Sequence, residues 1–280
     1  MGMLAVVCFG LVLSAVYPFT TTEPHAANAP SERFTVGETD AFSATGSLVV
    51  DGQVRLAFDG VVTADGAWYQ RVVDGGVVSA AYQPDATGPV YRKRTIAGSD
   101  NAEQQRELIA EDEDRVLVDE DRDGDNVTLV VKENGTGVTQ PVSGTASVFV
   151  NSLVVAGYEA DGSDSSDETV YTPRAGWYDR REPYRITDAS GAVRTDANSH
   201  VVTAANVSWD TTEPAGTYME YLLVRSFSDE PTTYRITFEF ESGDAELERP
   251  SWVRSDLSHS QGVIEDLSRE YFTTSQPKQP

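Results

Sequence analysis

Cysteine is all but missing from the 280-residue chain. Cys8 stands alone, which excludes an intrachain disulfide framework and any cysteine-based zinc site. Histidine is nearly as scarce, at His25, His200 and His259, too few for a histidine-rich metal centre. Lysine is confined to Lys93, Lys132 and Lys278, beside 18 arginines. Positive charge as a whole is short, with 21 basic residues against 45 acidic ones and a formal net charge of −24. Nucleic acid is thereby excluded as a partner, because a phosphate backbone is bound by clustered Lys and Arg that release its counterions. The longest basic run, Arg92-Lys93-Arg94, reads as one charged strand edge. Signatures of catalysis are absent too. There is no Gly-x-Ser-x-Gly elbow, glycines are spread among turns, and Ser199-His200 lacks a plausible third member. Where carboxylates are this common, a pair of them carries no information. The chain is expected to be no enzyme, with no catalytic residue assigned.

Charge is also missing from residues 1–19, where an apolar run from Leu4 through Tyr17 ends at Pro18 and Phe19. A helix of that length covers roughly 28 Å, about the hydrocarbon thickness of a membrane. Residues 1–19 therefore read as a transmembrane anchor or signal segment and 20–33 as a linker. Cleavage at Ala27-Asn28-Ala29 would leave Pro30 as the first mature residue, so a retained anchor is favoured and a secreted form is the alternative. Cys8 lies inside the run, after Val7, and reads as a small apolar residue instead of a lipid-attachment site. The expected location is the cell membrane, single-pass, with the C-terminal domain outside. Three N-glycosylation sequons, at Asn126, Asn134 and Asn206, agree with that side.

What the chain does contain is strand. Hydrophobic content of 39% suffices for a sizeable core, and from Phe34 to Phe240 short Val-, Thr- and aromatic-rich stretches alternate with Asp-Gly and Pro turns. Residues 34–253 read as one mainly β domain, with 254–280 a polar tail. A meander of at least five strands opens it, between Ser47 and Ile96. In Thr233 to Glu241, Tyr234, Ile236, Phe238 and Phe240 share one face, and Thr217 to Phe227 is the expected hairpin partner. Arg115–Val118 and Val127–Lys132 form a second hairpin. One short helix is predicted at Asn101 to Ala110, capped by Ser99 or Asp100. Thr145 to Gly157 fits strand or buried helix, and helix is preferred. Asp161 to Glu168 is an acidic loop dividing the halves. Ala67-Trp68-Tyr69-Gln70-Arg71 echoes Gly176-Trp177-Tyr178-Asp179-Arg180, as a duplicated module or as coincidence.

Two constellations could carry binding. Asp119, Asp121, Asp123 and Asp125, around Gly124, match the start of a calcium loop, but the twelfth position is Val130 instead of an acid. A solvated hairpin tip is the stronger reading; no cofactor is expected, and calcium, if bound, is structural. Trp68, Tyr69, Trp177, Tyr178, Tyr221, Phe238 and Phe240, with Tyr184, Trp209 and Tyr218 in the wider set, are candidates to line a hydrophobic cavity, against an ordinary sheet core.

The stretch Tyr184 to Val193, the strand Val201 to Trp209, the hairpin Thr217 to Phe240 and the closing Pro250-Ser251-Trp252 resemble haloarchaeal exported proteins similar to the lipoprotein carriers of LolA and LppX type. The many carboxylates and few lysines suit the same salt-loving source. The resemblance implies a curved antiparallel sheet or incomplete barrel around a short helix, whose concave side takes a lipid chain in some relatives. The lipid-modified cysteine of such proteins is missing here, and an apolar anchor stands in its place. The expected function is a non-catalytic surface protein that carries a lipid-like ligand. Its alternative is a structural or interaction module of the envelope, with an envelope protein as partner and no cavity.

With a net charge of −24, raising KCl from about 0.1 M to about 1 M shortens the Debye length from roughly 10 to 3 Å. Calorimetry across that range is expected to show a rising melting temperature. A flat or falling one refutes the reading of the charge as a salt adaptation.

Overall fold

The computed structural model describes residues 34–161, 167–179, 183–212, 231–243 and 245–253. The expected anchor at 1–19, linker at 20–33, hairpin partner at 217–227 and tail at 254–280 lie outside these residues, as do Tyr218, Tyr221 and most of the loop at 161–168. The elements are β1 (Phe42–Val50), β2 (Gln53–Val62), β3 (Trp68–Asp74), β4 (Val77–Gln83), β5 (Val90–Ala97), α1 (Ser99–Ala110), β6 (Arg115–Asp123) and β7 (Asn126–Glu133). They continue with α2 (Val142–Leu153), β8 (Gly157–Asp161), β9 (Glu168–Arg174), β10 (Gly176–Asp179), β11 (Pro183–Asp196), β12 (Val202–Thr211) and β13 (Thr232–Ser242).

All described strands belong to one antiparallel 13-stranded sheet, ordered β6-β7-β5-β4-β3-β2-β1-β13-β12-β11-β9-β8, with β10 paired to β11. Among the described residues it is not closed: β6 and β8 end the order, and β10 has only β11 as a neighbour. The mainly β expectation holds at this level, including the opening meander β1 to β5. The turn at Asp51-Gly52 has positive φ at both residues, 50° and 74°, the geometry that joins two twisted strands with least distortion. The last strand is inserted between β1 and β12. Its apolar alternation faces that of β1, with Leu48 opposite Ile236, Gly46 opposite Phe238 and Ala44 opposite Phe240.

Both helices pack on the same face of the sheet. Helix α2 settles the ambiguity at Thr145 to Gly157 because Val142, Ala146, Phe149, Val150 and Leu153 recur at helical spacing and are buried. Phe149 stacks on Phe58, with centroids 5.3 Å apart, and on Phe238 at 6.5 Å. The ring rests on Gly46, where an added Cβ would stand 2.9 Å from it. Gln70 of β3 adds a polar tie, its Nε2 donating to Thr145 Oγ1 at 2.8 Å. Helix α1 lies over β5 to β7 and buries Ala102 against Val127 and Leu129. Its cap differs from the expectation. Neither Ser99 nor Asp100 caps it; Gly98 does, with φ of 86° and no side-chain bond. The chain has to turn sharply out of β5 there, and a left-handed residue makes that turn.

Two end segments pack on the sheet beside the helices and on its far side. Residues 34–40 run across the helix-bearing face, where Thr35 bridges Val201 in parallel. Phe34 packs edge-on against Tyr158 and Tyr171, at 5.1 and 5.3 Å. On the opposite face, Leu247, Trp252 and Val253 pack on Tyr69, Tyr82 and Tyr91. Burial raises the pKa of Tyr82 and Tyr91. The arginines gather at the β6 edge. Arg92 and Arg115 both reach Glu133, at 2.7 and 3.5 Å, and Arg106 of α1 reaches Glu120 at 3.2 Å.

The Trp-Tyr echo is not a structural repeat. Trp68 points into the core and is 1% exposed, with Tyr69 on the far face. In β10 the order is reversed: Tyr178 is buried, and Trp177 is half-buried beneath the Arg185 guanidinium at 5.5 Å.

Removing the Phe149 ring leaves Phe58 and Phe238 facing a void. Phe149→Ala is expected to cost about 3–5 kcal/mol in denaturant unfolding, and a loss below about 1 kcal/mol would show that α2 is not the core element. A second prediction concerns the turn beside Thr35. Asp196 accepts hydrogen bonds from Ser199 N (2.8 Å), Ser199 Oγ (2.7 Å) and Asn198 N (3.0 Å). These bonds, Ser199 N foremost, hold its carboxyl below the ordinary 3.8. Its contribution is therefore present above that value and lost as pH falls through the lower folded-state pKa. Acid titration of melting temperature should show wild type and Asp196→Asn converging as pH drops. Parallel curves would refute this.

Candidate functional site

Helix α2 is shorter than the strands it covers, and its C-terminal end leaves part of the sheet face open. The apolar alternation of β13 makes the consequence concrete. Phe238 and Phe240 lie in the core, whereas Tyr234, further toward the strand start, is only half-buried. Together with Ile236 it floors a groove of about 660 Å³. Leu48 of β1 and Trp209 and Thr211 of β12 complete the floor. Val148, Asn151 and Ser152 of α2, followed by Val155, form one wall, and Tyr184 of β11 and Thr212 the other.

The groove crosses four adjacent strands, β1, β13, β12 and β11, a span of roughly 14 Å at the usual interstrand spacing. Its volume falls within the roughly 300–1,000 Å³ of small-molecule pockets. The lining grades from Ile236 and Trp209, 1% and 2% exposed, to Val148, 49% exposed at the rim. Two tyrosines fix the wall. Tyr184 donates to Val155 O at 2.6 Å and Tyr158 to Leu153 O at 2.8 Å, so carbonyls left over at the helix end are satisfied without water. Burial, with Tyr178 nearby, pushes the Tyr158 hydroxyl far above its ordinary value. Thr211 Oγ1 is buried and has no hydrogen-bond partner among the described residues. Two further hollows, of about 580 and 600 Å³, flank residues 35–39 and carry the carboxylates Glu38, Asp40 and Asp196.

The aromatic candidates are dispersed. Trp68 is a core residue whose Nε1 donates to Gln83 Oε1. Tyr69 faces the other side of the sheet, and Trp177 pairs with Arg185. Phe238 lies under α2 against Phe149, whereas Phe240 lies beneath Gly37 and stacks on Phe42 at 5.3 Å. Tyr178 is buried beside Tyr184, with ring centroids 6.1 Å apart. Tyr221 lies outside the described residues. Of the wider set, Tyr184 and Trp209 line the groove. Leu48, Val148, Val155, Thr211 and Ile236 were not singled out as site residues, and the readable signal for them was the continuation of the β13 alternation beyond the reach of one helix.

Asp119, Asp121 and Asp123 stand on one face of β6, opposite Val130, Thr128 and Asn126. Alternate positions of an extended strand lie about 7 Å apart, and Asp125 is in the turn beyond Gly124. Asp119 Oδ1 accepts from Glu120 N and Asp121 Oδ1 from Arg122 N, both at 3.0 Å. Among the described residues no three His, Cys, Asp or Glu converge on a common metal position. Asn126, Asn134 and Asn206 are all exposed, the first at a hairpin turn and the last in mid-strand on the face away from the helices. Beside Ser199 and His200 stands a carboxylate the sequence reading did not connect to them. Asp196 itself receives the Ser199 hydroxyl, which makes this a turn closure and not a relay through His200.

Among the described residues no helix is long and apolar enough to cross a membrane. Comparison of the chain with protein-family models and with curated proteins finds no match.

Tyr184→Phe removes the bond to Val155 while keeping the ring that walls the groove. It is expected to cost about 0.5–1.5 kcal/mol, read from urea unfolding. No measurable loss would mean that the wall does not depend on this bond.

Proposed function

We propose that this protein is a membrane-anchored, outward-facing, non-catalytic binder that holds a hydrophobic, lipid-like molecule against the helix-bearing face of its sheet. The observation that carries the reading is the groove at the C-terminal end of α2, where Trp209, Ile236 and Leu48 form an apolar floor. An acyl or isoprenoid chain laid there removes apolar surface from water at roughly 25 cal/mol per Å². A curved sheet supports the same reading. Open sheets beyond about ten strands rarely stay uncurled, and one buried cluster here joins Trp68 of β3, Phe149 of α2 and Tyr171 of β9. Such curvature, as in an incomplete barrel, suits the resemblance to the LolA and LppX type carriers. The uncharged residues 1–19 and the sequons at Asn126, Asn134 and Asn206 support an anchored, outward-facing placement.

A structural or interaction module of the envelope is the second reading. It is favoured by the tight burial of Phe149, Phe58 and Phe238 beneath α2, at 1%, 4% and 1% exposed. Native mass spectrometry of the full chain, purified from its own host in high salt, separates the two. The carrier reading expects a co-purified apolar molecule, and Val148→Asp, at a rim position that is 49% exposed, is expected to lose it without unfolding. A mass equal to the bare polypeptide, together with no binding of an apolar fluorescent dye, would leave the envelope module standing.

A further inference from the structure

Three Asn-x-Ser/Thr tripeptides share a motif, but the fold presents them differently. Asn126 opens β7 and is paired on both sides, with Ala97 of β5 and Asp123 of β6. The hydroxyl of its third residue, Thr128, shares a hydrogen bond with Thr95 Oγ1 at 3.0 Å. Asn206 lies in the middle of β12, between Ala192 of β11 and Thr237 of β13. Its Ser208 hydroxyl donates to Tyr234 O at 3.0 Å. An enzyme that modifies such a tripeptide has to engage the asparagine amide, the hydroxyl two residues on and the backbone between them. At 126–128 and 206–208 that backbone belongs to a ladder with neighbours on both sides, and interior strands open only at a cost approaching that of unfolding the domain.

Asn134 stands outside the sheet, one residue beyond the end of β7, in the connection to α2. Asn134 and Thr136 are exposed, and Gly135 between them is buried. The Gly135 carbonyl accepts from Gln83 Nε2 at 3.2 Å, and Gln83 in turn accepts from Trp68 in the core. A Cβ at position 135 would collide with Gly88 O, so the central residue has to be glycine for the backbone to approach this closely. The loop is thereby pinned through its middle, with the two side chains that define the motif in solvent. Asn134 Oδ1 accepts from Thr136 N at 3.1 Å, which holds the amide beside its partner residue.

We infer that, of the three sequons, Asn134 is the one that carries a glycan, and that the sugar is added to the folded domain at this surface loop. The inference rests on the outward-facing placement proposed above. The donor is a glycan carried on a polyprenyl phosphate or diphosphate. Asn134 Nδ2 forms a bond to the anomeric carbon, and the bond from that carbon to the phosphate oxygen breaks. The lipid phosphate leaves with the electron pair, and one amide proton passes to a base of the transferase.

Glycopeptide mass spectrometry of the full chain from its own host measures occupancy at each sequon. Protease added to intact cells reports separately on which side of the membrane the domain lies. Occupancy at Asn134 is expected to exceed that at Asn126 and Asn206 by about ten-fold or more. Thr136→Ala is expected to abolish it and Thr136→Ser to retain it. Three results overturn the inference while the outward placement stands: comparable occupancy at Asn126 or Asn206, a glycan on Asn134 that survives Thr136→Ala, or a bare Asn134 on a domain that external protease digests. A bare Asn134 on a domain digested only after lysis overturns both.

Discussion

One aromatic ring organises the helix-bearing face. Phe149 enters the sheet over Gly46 and is held between Phe58 of β2 and Phe238 of β13. Without a side chain at position 46 the helix approaches close enough for that ring to touch strands on both sides of β1. The rest of the core is arranged around this contact, because interiors are packed to near-crystalline density and a helix cannot be shifted without opening voids. The groove is the geometric remainder. A helix of 12 residues, roughly 18 Å long, cannot cover the full run of the strands beneath it, and Leu48, Tyr234 and Trp209 lie in the groove beyond its end.

A second constraint is the placement of β13. The meander β1 to β5 and the hairpin β6–β7 are local, but β13 completes the sheet only by pairing with β1 across the length of the chain. The Ser47 and Thr237 hydroxyls, 2.7 Å apart, join residues 190 positions distant. Pairings of such separation form late, because loop closure has to precede the contacts that reward it. The two sides of the sheet meet at the ladders of β13 with β1 and β12, and the groove spans that seam.

Much of this was legible in the residues. The Asp-Gly turns, the β13 alternation and the buried spacing of α2 are local patterns, and local patterns survive into the fold. What could not be read was partnership. Nothing in Thr233 to Glu241 states that its neighbours are β1 and β12, and the Gly98 cap depends on where β5 must turn. Aromatic type did not reveal role either. Trp68 and Trp209 are both almost fully buried, yet one is sealed by Gln83 and the other floors the groove. The difference comes from how far α2 reaches, a tertiary fact. The four aspartates read as a loop because composition cannot tell a turn from a strand with alternating carboxylates.

That acidic strand has a meaning for the molecule at high ionic strength. Molar salt screens the repulsion that otherwise keeps such chains apart, and an open sheet then risks growing by edge-to-edge pairing. At β6 the exposed ladder is flanked by Asp119, Asp121 and Asp123 on one face and by Glu120 and Arg122, tied at 3.1 Å, on the other. A second copy docking there would have to strip water from carboxylates on contact, a short-range cost that screening leaves largely intact. Carboxylates placed along an edge strand disfavour the addition of another strand even where the long-range field is screened.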